Sequence, residues 1–553
     1  MSAFLIFAPV FDVYPIMKLS FFLCSVISGL LLWLAWPTMP FTPLVFVGFM
    51  PLLYLTEKIH HRGKYFGWIF FSLLIWNVAT TWWVGNTTVP ASGVFANSFN
   101  ALLMSVPWVA YKGSRRRLPE TMSYFALIVF WLTFELIHQT WELSWPWLVL
   151  GNAFAMRPGW IQWYQFTGAS GGTLWVLLAN ITLYQAWKRA RIYDMSWSQL
   201  LRKEIWKPAA VILLPLLCSA FIHPSPDDPA RNIGVVVVQP NIDPYDEKFT
   251  ASSATEQLEK FIRLSETKAD SNTRYFVWPE TALFPNGAWE HQLNYQPEVQ
   301  AIRRMLLRYP KAKVITGAVT MKQYRETEEA PVSARRMEDG TPWEPFNTAL
   351  QIDTSQNIQV YHKYELVPGV ELTPYVRYLS FMQQLALDFG GISGSYGRTP
   401  AATMLTNPAD SISIFPTICY ESVFSDYVAA GVKPGANLLM VITNDGWWGR
   451  TEGHRQHLQY ARIRAIETRK WVVRSANTGI SAVVDPAGNI HQPQPYWEEA
   501  VFKATVTPRQ EQTFYVRNGD LLSKGAVIFC ILLLVHAFIS RFIPGLRHAE
   551  NNA

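Results

Sequence analysis

Apolar stretches long enough to cross a bilayer recur through the first 222 residues and once more near the end of the chain. They fall at 20–36, 41–55, 65–84, 89–111, 121–141, 165–187, 208–222 and 521–542. A helical span needs roughly 20 such residues, so the pattern predicts about eight spans, seven before residue 223 and one after residue 520. Between them the hydrophobicity changes character. Short β-branched runs at 234–239, 275–278, 313–319, 349–353, 358–362, 411–418, 438–443, 471–475 and 481–485 read as strands. Amphipathic helical patterns occupy 254–268, 297–309 and 453–470. This alternation predicts an α/β layered domain. Three regions follow: 1–222 membrane-embedded, 223–520 globular, and 521–553 a last span with a tail.

Basic residues sort the short loops into two sets. One set carries Lys58, Arg62 and Lys64, then Lys112 and Arg115 to Arg117, then Lys188, Arg189, Arg191, Arg202, Lys203 and Lys207, with Arg541 and Arg547 in the tail. Loops 37–40 and 85–90 have no Lys or Arg, and 142–164 has only Arg157. Cytoplasmic loops hold the excess of Lys and Arg, so with eight spans the globular region is expected on the outer side. Arg115 to Arg117 then act as a topology determinant, not a nucleic-acid patch. Residues 1–17 are apolar without a preceding basic stretch, so they read as an interfacial segment or an early start, not a cleaved signal.

The outer loop 141–166 is dense in Trp, Pro and Gly. It reads either as an interfacial aromatic belt or as a wall for a lipid substrate. Glu135 and His138 fall near the end of the fifth run, where ionisable groups draw attention; no site is placed on them. In the globular region, 322–343 reads as an exposed polar excursion. Segment 373–398 is amphipathic, then glycine-rich: a flap at the bilayer surface or a packed surface helix.

Composition agrees with a divided chain. The 553 residues are 50% hydrophobic and only 16% charged, against about 25% charged in ordinary soluble domains. Mean hydropathy is +0.08. The net charge of +6 is too modest to argue for nucleic acid. Four cysteines exclude a disulfide scaffold. Cys24, Cys218 and Cys530 lie in predicted spans, which leaves Cys419 alone in the globular region. Such a thiol is either an inert core residue or kept for its reactivity.

Cys419 follows the run SISIFPTI, where a strand ends. Glu280 closes YFVWPE and Lys363 closes IQVYHK, each just past another strand. Sites in α/β sheets gather at the carboxyl ends of strands, so the three can share one cleft. A thiol with a pKa of about 8.5 is mostly neutral near pH 7. Glu280 is suited to remove its proton. Lys363 and a backbone N–H beside Cys419 are suited to hold the oxyanion of a tetrahedral intermediate. The product is a thioester that a second nucleophile attacks.

The ordered motifs WPE (Trp278 to Glu280), HKYELVPGVE (His362 to Glu371), ICYES (Ile418 to Ser422), TNDGWWG (Thr443 to Gly449) and RSANTGISAVVDPAG (Arg474 to Gly488) resemble the carbon–nitrogen hydrolase, or nitrilase, superfamily. With its spans, PWLVLGNAF (Pro146 to Phe154) and FYVRNGD (Phe514 to Asp520), the chain is similar to the apolipoprotein N-acyltransferase family of bacterial inner membranes. The resemblance implies an α-β-β-α sandwich with a catalytic Glu280–Lys363–Cys419 triad. It implies Glu371, Tyr420 and Glu421 as supporting residues, and no cofactor. The acyl donor would be a phospholipid, the acceptor the α-amine of a diacylglyceryl-cysteine apolipoprotein, and the catalytic region periplasmic. A membrane-anchored amidase and a non-catalytic scaffold or transporter are the alternative readings.

Two positions depart from the family pattern. Pro368-Gly369-Val370-Glu371 stands where Pro-Phe-Gly-Glu is usual, and Lys248-Phe249 where Lys-Trp is frequent. His454 and His457 have a metal-compatible spacing without an evident third ligand. No phosphate-binding glycine motif is present. Asn444 and Asp445 read first as turn residues.

Overall fold

The computed structural model describes residues 21–87, 90–243, 253–325, 327–331, 333–375, 395–398 and 403–540. The chain divides into two compact units: residues 1–85, 90–222 and 520–553 form one, and residues 86–89 and 223–519 the other.

The first unit is helical. Arg62–Asn86, Ala91–Ser114, Glu120–Ile137 and Leu521–Ile539 are long and apolar enough to cross a membrane, and the bent pair Trp197–Lys203 and Trp206–Phe221 makes a fifth if it is one span. Phe21–Ala35 is apolar but shorter. The apolar run at 41–55 does not form one helix. Pro43 and Pro51 open a 3-10 turn, Thr42–Phe46, and a separate helix of nine residues, Met50–Lys58, because proline suits a first helical turn and not an interior. Among the described residues, four to five membrane-length helices thus stand where the sequence pattern predicts about eight spans. Leu521–Ile539 exposes Ile528, Ile531, Leu532 and Leu534, a surface that water does not solvate well.

The Trp-rich loop folds into three 3-10 turns, Pro146–Leu148, Leu150–Phe154 and Pro158–Trp160. Trp147 is buried against Trp83 at 4.9 Å, so this part of the loop is packed interior, not an interfacial belt. Glu135 fastens it: its Oε1 accepts from Trp131 Nε1 and the Leu150 N–H, and its Oε2 from Thr173.

The second unit stacks two sheets. The strands are β1 (Ile233–Gln239), β2 (Thr273–Val277), β3 (Leu283–Trp289), β4 (Lys313–Gln323), β5 (Arg335–Arg336), β6 (Pro342–Ile352) and β7 (Gln359–His362). After them come β8 (Leu405–Asn407), β9 (Ile412–Ile418), β10 (Leu438–Thr443), β11 (Val472–Ala476), β12 (Ala482–Val484), β13 (Ile490–His491) and β14 (Ala500–Val506). One sheet runs β14-β1-β2-β4-β6-β5, with β3 beside β4 and β7 beside β6; the other runs β13-β12-β11-β10-β9-β8. Strand periodicity sets the layers. Val235 and Val237 of β1 pack toward Ile414, Ile418 and Met440 of the second sheet. Val236 and Val238 face outward onto Phe261, Ile302 and Leu306 of the helices Ser253–Lys268 and Pro297–Leu306. Helices Ser425–Val432 and Gly453–Thr468 connect the parallel strands β9, β10 and β11 and contribute Val428, Ala461 and Ala465 to the core. The result is helix, sheet, sheet, helix.

The predicted polar excursion at 322–343 is partly strand, since β4 runs to Gln323 and β5 pairs with β6. Most of the predicted flap, 376–394, lies outside the described residues, as do Lys248 and Phe249. The two ends of the flap segment meet, with the Thr373 N–H donating to Ser395 Oγ at 3.0 Å.

Candidate active site

Each of the three triad candidates is placed by a strand end. Cys419 is the first residue after β9 and Lys363 the first after β7. Glu280 comes three residues after β2, in a segment laid along β4. The Trp278 N–H donates to Ile315 O, Gly317 N–H to Pro279 O, and Ala282 N–H to Gly317 O. A side chain at position 317 has no room: its Cβ would lie 2.5 Å from the Glu280 Cα and 2.4 Å from the Thr281 N. That approach is what glycine permits here.

The Lys363 ammonium is 1% exposed and shared by two carboxylates, Glu280 Oε1 at 3.2 Å and Glu371 Oε1 at 2.9 Å. Asn347, on β6, donates its Nδ2 to the same two oxygens at 2.8 and 2.9 Å. The other Glu280 oxygen accepts the Asn444 N–H at 3.0 Å. Burial alone would push the Lys363 pKa down; Glu280, Glu371 and Cys419 outweigh it and hold the pKa well above the usual lysine value. Burial, then the charge of Glu280, drives the Cys419 thiol well above its usual value, against the pull of Lys363. Cys419 is thus a buried thiol within the electrostatic reach of both Glu280 and Lys363.

Cys419 sits in the left-handed region at φ 52°, sparsely populated by residues with a Cβ. It begins the 3-10 turn Cys419–Val423. Glu421, fully buried, closes that turn by accepting the Ile418 N–H at 2.7 Å and the Tyr361 hydroxyl at 2.8 Å. Its other oxygen accepts the Tyr364 N–H, also at 2.7 Å, next to Lys363. Burial raises the Glu421 pKa to about 7, against these donors. Tyr420 packs edge-on against Phe424. Glu371 reaches Lys363 although its loop departs from the family pattern. Gly369 takes φ 80°, and the Glu371 N–H and Oε2 bond back to Val367 O and the Val367 N–H.

Asn347 was not evident from sequence; its only mark is a polar residue inside the apolar run FNTALQI. His457 does not pair with His454. It contacts Ser422 and Asp445, while His454 stacks on Tyr496 at 3.7 Å. Among the described residues no group of three or more His, Cys, Asp or Glu is arranged to hold a metal.

Residues 234–514, just over half of the chain, match the model of the carbon-nitrogen hydrolases. The chain belongs to the carbon–nitrogen hydrolase family. In that family's domain the carboxyl ends of β2, β7 and β9 carry Glu280, Lys363 and Cys419. Residues 28–182 match a second model, the apolipoprotein N-acyltransferase N-terminal domain. A Chlorobaculum tepidum protein named apolipoprotein N-acyltransferase is 28% identical over 91% of this chain and 93% of its own length. A Geobacter metallireducens protein of the same name is 26% identical over 96% and 97%.

Proposed function

We propose that the chain is a membrane-embedded acyltransferase. It moves an acyl group from a phospholipid, through a thioester on Cys419, to the N-terminal amine of diacylglyceryl-cysteine apolipoproteins. The observation that supports this reading best is one buried cation, Lys363, held by Glu280 and Glu371 within electrostatic reach of the Cys419 thiol. Full-length similarity to proteins named apolipoprotein N-acyltransferase supplies the substrate class.

In the first step Cys419 Sγ attacks the ester carbonyl as its proton passes to Glu280. The oxyanion is held by Lys363 and a backbone N–H after Cys419. The C–O bond breaks, and Glu280 returns the proton to the leaving alkoxide of the lysophospholipid. In the second step the lipoprotein amine attacks the thioester and loses its proton to Glu280. The C–S bond breaks, Glu280 returns the proton to Cys419 Sγ, and amide and thiol are the products. Glu371 fixes Lys363, and Glu421 fixes the Cys419 turn. The excess of Lys and Arg in alternate loops of the helical unit supports a periplasmic position for the catalytic unit, outside the inner membrane.

Intact-mass spectrometry after incubation with phospholipid tests the reading. Wild type gains one acyl mass, and Cys419→Ala gains none. A diacylglyceryl-peptide amine discharges the adduct far faster than water does. An adduct on Cys419→Ala refutes the thioester, and equally rapid loss to water makes the enzyme a hydrolase.

A further inference from the structure

A second buried network meets the same cysteine from behind, and the Glu–Lys–Cys chemistry makes no use of it. The Cys419 carbonyl accepts from Ser422 Oγ at 2.8 Å and lies 3.1 Å from His457 Nε2. His457 Nε2 is also 2.8 Å from Ser422 Oγ, and its Nδ1 is 2.9 Å from Asp445 Oδ1. Thr443 Oγ1 donates to that Asp445 oxygen at 2.7 Å, and Arg474 pairs with the other. Ser422, His457, Asp445 and Arg474 are each at most 1% exposed. The members come from the ends of β9 and β10, from β11, and from the helix Gly453–Thr468 that joins the last two.

The placement matters because Cys419 holds an unfavourable backbone conformation, φ 52°, which persists only where its surroundings over-determine it. Burial would raise the Asp445 carboxyl pKa, but Arg474 and His457 outweigh it and keep the group ionised. It is therefore a fixed anchor for the His457 ring. Asp445 is also one residue from Asn444, whose N–H holds Glu280. One network thus grips the backbone of the nucleophile and abuts the turn that holds the base.

We propose that His457, anchored by Asp445, is a positioning residue for Cys419: its ring fixes the Ser422 hydroxyl, and through it the turn that carries the cysteine, and so keeps the thiol within reach of Glu280 and Lys363. The inference rests on the thioester reading for its catalytic consequence, but not for its geometry.

The test uses the full chain in detergent and two readouts. Alkylation of Cys419 by iodoacetamide, followed on its own peptide, needs no lipid and is independent of the proposed reaction. Acyl-adduct formation is then measured against phospholipid concentration. His457→Leu slows both on the order of 10²-fold, the cost of a small misplacement at a reacting centre. The KM for phospholipid stays within about twofold, because the lost interaction lies within the protein and is not one made with the phospholipid. His457→Gln, which keeps a polar group for Ser422 to bond, recovers part of the rate, and Ser422→Ala shows a smaller loss. Asp445→Asn separates position from charge. Removing a negative charge near the thiol would by itself speed alkylation, whereas loosening His457 slows it. Faster alkylation in Asp445→Asn, or wild-type alkylation in both His457→Gln and Ser422→Ala, overturns the proposal. Slowed alkylation together with no adduct even in wild type leaves the positioning role standing and refutes the thioester.

Discussion

Glu421 and Tyr364 are joined by a 2.7 Å hydrogen bond that ties the turn beginning at Cys419 to the residue after Lys363. A carboxylate two residues from Cys419 thereby fixes the distance between two strand ends that lie in different sheets. Both partners are backbone or fully buried, so the link is stiff, and its charge is held where burial works against it.

That tension predicts a pH-dependent stability. Burial lifts the Glu421 pKa from 4.5 to about 7, so between those values the folded chain binds more protons than the unfolded one. The contribution of Glu421 to stability is then highest below pH 4.5 and falls as pH rises toward 7, by about 3 kcal/mol at most. Glu421→Gln cannot titrate. Its unfolding midpoint in detergent differs from that of wild type by an amount that shifts in the variant's favour from pH 5 to pH 8. A constant difference across that range contradicts the assignment.

Lys363→Met leaves two buried carboxylates, Glu280 and Glu371, without their cation. Breaking a buried pair on one side costs about 3–5 kcal/mol. Glu371→Gln costs less, because Lys363 keeps Glu280. Thermal unfolding should rank the variants wild type, Glu371→Gln, Lys363→Met in falling order. Adduct formation should vanish in Lys363→Met, and equal midpoints for the two variants would be the contrary result.

Much of the second unit was legible because its strands are buried on both faces or strictly alternate. LLMVIT at β10 is apolar throughout and GVVVVQ at β1 nearly so, and both emerged within a residue of their observed bounds. β3 was not legible. Its residues LFPNGAW carry Pro, Asn and Gly, all turn signals, and the strand is irregular: Phe284 and Gly287 take φ 54° and 84°, and pairing with β4 is made at Leu283, Ala288 and Trp289. In the first unit hydropathy alone misleads at 41–55, where two prolines interrupt an apolar run. Glu280, Lys363 and Cys419 announced themselves by type and by position after strands. Asn347 sits mid-strand and His457 mid-helix, and what each touches is set by tertiary register, which no local pattern records.

Asn347 provides the next test. Its side-chain N–H group is shared between Glu280 and Glu371 at 2.8 and 2.9 Å. Asn347→Leu removes the donor and costs about 1–3 kcal/mol. Asn347→Asp costs more, since it sets a third carboxylate against two that share one cation. Acylation rates and unfolding midpoints should both fall in the order wild type, Leu, Asp; an Asp variant matching the Leu variant would show that the carboxylates do not sense position 347.

Gly317→Ala tests the backbone rather than the charges. The added Cβ would sit 2.5 Å from the Glu280 Cα and 2.7 Å from its carbonyl carbon. Neither atom is the free end of a flexible side chain, so the segment carrying Glu280 must lift off β4. Three backbone bonds along β4, to Trp278, Pro279 and Ala282, hold that segment, and the core beneath Val314 and Ile315 is fully buried. The sheet itself is therefore retained while Glu280 moves. A shift of the order of 1 Å costs about 10²-fold in rate. The expected result is adduct formation slowed by that factor with Cys419 still present and alkylatable, and a circular dichroism spectrum like that of wild type. Wild-type kinetics in Gly317→Ala would mean that the Glu280 segment tolerates displacement and that its seat on β4 does not govern the proton transfer.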